Sequence, residues 1–177
     1  MNVSEKIAEW LDEKGFEDCF GIIGSGNMAM WDAIARRGKT KLHCFHHEQA
    51  ALQAAVFYHR IEGKHAACLV TTGAGSSNAV TGVLCAWMDS IPLFVIAGNE
   101  PTRFLESPVR VKGAQGYDFV ETLTGITKGT SRAGALYGVI VADPLEALEN
   151  GFVRMNTPRK GPVVVEIPVD IQNSEIQ

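Results

Sequence analysis

Lys41-Leu42-His43-Cys44-Phe45-His46-His47-Glu48-Gln49-Ala50-Ala51 is the stretch on which the reading of the fold turns. Leu42 to Phe45 predicts a short buried strand that runs straight into a helix beginning near Glu48. Ala51, Leu52, Ala54, Ala55 and Tyr58 continue that helix, and Gly63 marks its end. A carboxylate on the first helical turn has two ordinary explanations. It can offset the positive end of the helix dipole, or accept hydrogen bonds from the free N–H groups there. The functional alternative is a glutamate at the carboxyl edge of a parallel sheet, where open α/β folds place their ligands.

Working outward, the same alternation recurs on both sides. Ser4 is predicted to cap a first helix with the apolar face Val3, Ile7, Trp10 and Leu11, ending at Gly15. Phe20 to Ile23 reads as a strand, and a helix follows from about Asn27 to Arg37. Downstream, the apolar run Ala66 to Thr71 suits a central strand covered on both faces, and a helix of small residues then runs through Met88. Leu93 to Ala97 is a further buried strand. Residues 99 to 115 lack periodicity and are read as a long, mobile loop. A short helix over Tyr117–Leu123 and a weak strand over Thr130–Leu136 come next. Pro144 opens a helix with the apolar face Leu145, Leu148, Phe152 and Met155, and Val163–Ile167 closes the sheet. The expected fold is α/β, a doubly wound parallel sheet with helices on both faces. Residues 1–170 form one domain in this reading, and 171–177 a C-terminal tail.

The totals agree with one globular unit. A chain of 177 residues, 46% hydrophobic and 20% charged, can bury roughly 70% of its unfolded surface. A formal net charge of -4 gives no reason to expect nucleic acid or an acidic membrane as partner. The apolar run Val83–Gly98 is interrupted by Asp89 and Pro92, which argues against a membrane span. Cys19, Cys44, Cys68 and Cys85 form no C-x-x-C pair and are expected to be reduced core thiols of a cytoplasmic protein. The N-terminal residues open an amphipathic helix and not a signal peptide.

Four constellations carry possible chemistry. Gly24-Ser25-Gly26-Asn27-Met28-Ala29 fits a G-x-G-x-x-A dinucleotide fingerprint, with Glu48 near the position of a ribose-binding acid. A complete helix precedes it, however, and Glu48 starts a helix instead of ending a strand, so a tight strand-to-helix turn competes with that reading. Thr71-Thr72-Gly73-Ala74-Gly75-Ser76-Ser77-Asn78 is a second glycine loop without the Gly-Lys-Ser/Thr ending of a nucleotide P-loop. Small side chains and exposed N–H groups there let a flat ligand lie close, although a plain turn would look the same. His43, His46 and His47 alternate in direction along an extended chain and have no supporting acid or cysteine, so no metal site is expected. Arg103, Arg110 and Lys112, with Gln115, are either a solvated surface or a receptor for an anionic substrate.

Taken in order, Phe20–Gly26, His47–Ala51, Thr71–Asn78, Met88–Leu93 and Ile126-Thr127-Lys128 resemble the pyrimidine-binding domain of thiamine diphosphate enzymes, the acetolactate synthase-like subgroup in particular. The likeness covers about residues 1–170. It implies that Glu48 is the cofactor-activating glutamate. Its carboxyl group would hydrogen-bond the ring nitrogen N1′ of the aminopyrimidine and favour the imino tautomer that deprotonates the thiazolium carbon, with a 2-oxo acid as substrate. Gly24, Ser25, Gly26, Thr71, Thr72, Gly73, Gly75 and Asn78 are implied around the cofactor. Gln115 is implied in the substrate pocket, with His47 beside it as support, and the fold reading adds Arg110 and Lys112 from the basic loop as groups that would orient a substrate carboxylate.

The family binds diphosphate and Mg²⁺ through a second domain carrying Gly-Asp-Gly, and that tripeptide is absent from this sequence. The resemblance therefore implies either one subunit of a split enzyme, with diphosphate and Mg²⁺ on a separate diphosphate-binding partner in a heteromer such as a heterotetramer, or a piece of a longer chain. Alone, the chain would not catalyse. Some decarboxylases of the family carry proton-donating histidines where this chain has Thr71 and the run Val111–Gln115, which favours carbon–carbon bond formation over aldehyde release. Two alternatives stay open: a non-catalytic regulatory or assembly paralogue, and a nicotinamide-dependent oxidoreductase domain.

Overall fold

The computed structural model describes residues 1–105, 113–133 and 143–176. Among them, six strands form one all-parallel sheet in the order β2-β1-β3-β4-β6-β5. In chain order the elements are α1 (Val3–Glu13), β1 (Asp18–Gly21), α2 (Met28–Arg37), β2 (Lys41–Cys44), α3 (Glu48–Glu62), β3 (Ala66–Val70), α4 (Ala74–Asn78), α5 (Val80–Met88) and β4 (Leu93–Asn99). There follow α6 (Thr102–Leu105), α7 (Phe119–Thr122), β5 (Gly129–Arg132), α8 (Pro144–Asn156), β6 (Val163–Pro168) and α9 (Val169–Gln172). The doubly wound α/β expectation is met.

The central strands show why. Along β3, Ala67 and Leu69 join a core with Ile7, Leu11 and Phe16 of the α1 region, Ile34 of α2 and Leu148 of α8. Ala66, Cys68 and Val70 point the other way, to Leu52 and Val56 of α3, Val83 of α5 and Phe119 of α7. A period of two sends alternate side chains into two separate cores, so both faces need an apolar residue at every position. Each large aliphatic side chain buried this way contributes about 1.5–3 kcal/mol.

Several expectations shift in detail. Asn2, not Ser4, caps α1: its side chain accepts from Glu5 N and Glu5 accepts from Asn2 N, both at 2.9 Å. The helix begins one residue before Ser4, whose buried hydroxyl donates to Gln172 O at 3.0 Å. β2 is an edge strand, so Cys44 is exposed and Leu42 and His43 are only half-buried where a buried strand was expected. Of the cysteines only Cys19 and Cys68 lie in the core, where burial pushes both thiols up; Cys44 is exposed and Cys85 half-buried. The helix after β3 starts inside the glycine loop, at Ala74, and is divided at Ala79. The stretch 99–115 is not all loop. β4 runs to Asn99, and Thr102 opens α6 by donating from N and Oγ1 to Asp170. Gly113–Gly116 forms a 3-10 turn. Of the weak strand, Gly129–Arg132 is present as β5, while 134–136 lie outside the described residues.

The segment read as a tail is docked. Gln172 is fully buried and donates to Gly26 O at 2.6 Å and Ile167 O at 2.7 Å. Val3 N donates to Ser174 O at 3.0 Å, and Asn2 pairs with Glu175. Among the described residues no helix is long and apolar enough to cross a membrane.

Candidate cofactor site

The strand order reverses between β1 and β3, and the carboxyl ends on either side of a switch point part to leave a crevice. Three connections meet there: the turn after β1, the start of α3 after β2, and the glycine loop after β3. His47 and Glu48 divide the start of α3 between them. His47 is extended (φ -152, ψ 133) and its Nδ1 accepts from Gln49 N at 3.2 Å, so the histidine supplies the helix cap. Glu48 turns inward and is only 7% exposed. Its Oε2 accepts from Asn78 Nδ2 at 3.0 Å, across thirty positions of sequence. Capping the helix is therefore not what Glu48 does.

The glycines shape the space beside that carboxyl group. A Cβ on Gly75 would stand 2.5 Å from Thr71 Cγ2 and 3.0 Å from Glu48 Oε1. A Cβ on Gly24 would stand 2.5 Å from Thr71 Oγ1, and one on Gly26 would overlap the Thr72 hydroxyl. Gly73 has φ +58 and ψ -106, a conformation that side chains resist, and Ala114 and Gln115 lie directly over it. Thr71 Oγ1 accepts from Gly26 N at 3.1 Å and so ties the two glycine loops together. The Thr72 hydroxyl is buried without a hydrogen-bond partner in the protein, a donor left for something else to meet.

The sequence-level site residues thus fall into three groups. Gly24, Gly26, Thr71, Thr72, Gly73, Gly75, Glu48, Asn78 and Gln115 converge on the crevice. Ser25 is exposed at the tip of its turn, and His47 is exposed at the cap. Arg110 and Lys112 lie outside the described residues. Arg103, from the same basic group, is on α6 with its guanidinium 4.6 Å from the centre of the Phe104 ring. Asn78, of the first group, donates to the Glu48 carboxylate. His43 pairs with Asp18 at 2.6 Å and stacks on Phe20, and the described residues contain no cluster of three or more metal-ligating side chains.

The dinucleotide reading fails on the donors. Gly24 N donates to Asn27 Oδ1 at 2.8 Å, Asn27 Nδ2 donates to Ile22 O at 2.9 Å, and Gly26 N is held by Thr71. Both glycine N–H groups, which a pyrophosphate would need, are already engaged.

One polar cluster escaped the sequence reading. Arg132 of β5 donates from Nε to Glu166 of β6 and from Nη2 to Asp118 Oδ1 at 2.9 Å. Burial pushes the Glu166 carboxyl up, opposed by Arg132 and by a hydrogen bond from Asn99. Burial also works against the Arg132 charge, but Glu166 and Asp118 outweigh it and hold the guanidinium charged. A single acid inside the apolar run Val163–Ile167 was the available signal.

Fold and crevice together define the class, a doubly wound α/β domain with a candidate ligand crevice at its switch point. Comparison with known sequences makes it specific. The family described as "Thiamine pyrophosphate enzyme, N-terminal TPP binding domain" matches residues 1–137, and the chain belongs to that family. It is 34% identical over 176 residues to the acetolactate synthase large subunit of Haemophilus influenzae, covering 98% of this chain and 29% of that protein. It is 32% identical over 176 residues to the acetolactate synthase isozyme 3 large subunit of Escherichia coli strain K12, with the same two coverages, 98% and 29%. To the chloroplastic acetolactate synthase of Arabidopsis thaliana it is 33% identical over 173 residues, covering 94% of this chain and 23% of that protein. The resemblance to the pyrimidine-binding domain of acetolactate synthase-like enzymes is borne out. The chain spans less than a third of the length of these relatives.

Proposed function

We propose that this chain supplies the pyrimidine half of a thiamine diphosphate site, in a cytoplasmic enzyme that joins a 2-oxo acid to a second carbonyl compound. The observation that carries the reading is Glu48, buried at the switch point, with Oε2 fixed by Asn78 and Oε1 facing the side-chain-free surface of Gly75. The residues present fit an aminopyrimidine. Its polar edge can meet Glu48 Oε1, and the lack of side chains at Gly73 and Gly75 lets Gln115 and Thr71 pack close beside that carboxyl group.

When bound, thiamine diphosphate supplies the nucleophilic carbon and the electron sink for 2-oxo acid chemistry. The task of Glu48 is to hold and share a proton at Oε1. An amide N–H only donates, so Asn78 leaves Oε2 as acceptor and directs the shared proton to Oε1. Gln115, over Gly73, stands where a substrate group would arrive, and Arg110 and Lys112 are proposed to orient its carboxylate.

The diphosphate and Mg²⁺ are proposed to be held by a separate polypeptide, in a heterotetramer, with this chain inactive alone. An apolar surface on adjacent helices supports a partner: Phe57 (56% exposed) and Ile61 (76%) of α3, with Leu84 (40%) and Met88 (67%) of α5. Mass spectrometry of what copurifies with the untagged chain from its own cell tests the arrangement. A diphosphate-motif protein is expected. Tight thiamine diphosphate binding and turnover of pyruvate by the purified chain alone would overturn the split arrangement. Unchanged substrate saturation in both Arg110→Ala and Lys112→Ala complexes would remove that loop from the mechanism.

A further inference from the structure

The buried cluster on β5 and β6 has a reach beyond the sheet. Arg132 and Glu166 are register partners on neighbouring strands, and Arg132 is itself buried. Its guanidinium forks onto the Asp118 carboxylate, Nη2 to Oδ1 at 2.9 Å and Nη1 to Oδ2 at 3.4 Å. Asp118 is in turn the cap of α7, accepting from Glu121 N at 2.9 Å, and α7 drops Phe119 into the core beneath it. Three residues before Asp118 stands Gln115, and Tyr117 N donates to Ala114 O at 3.3 Å, which closes the turn that covers Gly73. A buried carboxylate, one arginine and one exposed-side aspartate therefore connect the sheet to the segment whose Ala114 and Gln115 lie over Gly73.

We propose that Arg132 is a positioning residue, which holds the 113–118 segment so that Gln115 stays over Gly73. Glu166 has a reason to be buried in this arrangement. It fixes the guanidinium on the sheet side, so that the fork toward Asp118 keeps one direction. Asn99, at the end of β4, hydrogen-bonds Glu166 and fixes the carboxylate in turn. The functional consequence rests on the proposed cofactor reading of the Gly73–Gly75 loop; the anchoring itself does not.

Hydrogen–deuterium exchange on the full chain separates the two. Arg132→Lys keeps a cation beside Glu166 but loses the fork. Asp118→Ser keeps a good helix cap but loses the charge. Both variants are expected to retain slow exchange in β3, β4 and β6, while amides 113–117 exchange about tenfold faster, the size of one lost charged hydrogen bond. The double variant should add nothing further, since both changes cut the same link. In the complex with the diphosphate-binding partner, the substrate KM should rise about tenfold while exchange of the cofactor C2 proton, the task of Glu48, is unchanged. Unchanged exchange at 113–117 in both single variants, or an equal rise throughout the sheet, overturns the proposal. So does an unaltered KM in a complex whose 113–117 segment has been loosened. Faster exchange at 113–117 together with no thiamine-dependent turnover even in the native complex supports the anchor and overturns the cofactor reading instead.

Discussion

At the scale of the residue, His47 and Glu48 show how two adjacent side chains take separate duties. His47 satisfies the helix start, which frees Glu48 to face the crevice. Glu48→Gln should thus change stability by less than the loss of a cap, about 0.5–2 kcal/mol. In the complex it should slow exchange of the thiazolium C2 proton by at least about two orders of magnitude, followed by NMR in deuterated water. A lowered melting temperature with an unaltered exchange rate would return Glu48 to a structural role. Gly73→Ala tests the other side of the crevice. The residue would hold φ +58 and drive a methyl group into Ala114 and Gln115, so a loss of roughly 1–3 kcal/mol is expected in thermal unfolding. The glycines and Glu48 were legible because each carries a local pattern, a turn or a helix start. The Asn78–Glu48 bond was not, since nothing local distinguishes an asparagine aimed at a ligand from one aimed at a carboxylate thirty residues away. The Arg132–Glu166–Asp118 set was hidden for the same reason, with only the lone acid of β6 to betray it.

Among the elements, boundaries were readable to within a few residues, and the errors have definite causes. Asn2 and Ser4 are both good caps; what selects Asn2 is Glu5 three residues on, which completes the reciprocal pair. The burial of β2 could not be read from its composition, because edge or centre is decided by strand order and not by the strand. α8 and β3 meet through a pair that yields a pH prediction. His65, just before β3, lies at 2.8 Å from Asn156 Oδ1, and burial holds its pKa below the ordinary 6.5 despite that hydrogen bond. The unfolded chain then binds the proton more readily than the folded one. Stability should be complete above pH 6.5 and fall as the pH drops below it toward the lowered folded value. His65→Gln should flatten that part of the melting-temperature profile, and an unchanged slope would assign it to other groups.

Across the whole molecule, two apolar cores and one sheet were evident from sequence, because central strands with no polar face admit few other architectures. What escaped was the destination of the last residues. They were read as a tail, yet Gln172 meets the carbonyls of Gly26 and Ile167 in the interior. The outer surface of α3 and α5 makes the prediction at this scale. Ile61→Glu with Met88→Glu should leave the melting temperature of the chain nearly unchanged, since both side chains are exposed. The pair should weaken capture of the diphosphate-binding partner by at least about tenfold in a pull-down titration, because a charge would be buried unpaired. Capture at native strength would place the contact elsewhere.

The docking of the last residues on the first also has a topological consequence. Ile176 N donates to Met1 O at 3.1 Å, so the two ends of the described chain lie side by side. A short linker could join them, and the chain could be opened instead at the exposed Gly38–Lys39 turn without cutting a strand or a helix. Such a circular permutant would keep every parallel pairing of the sheet. It would move the new ends to the turn between α2 and β2, at the amino ends of the parallel strands, so a label or tether placed there would stand on the side of the sheet away from the crevice.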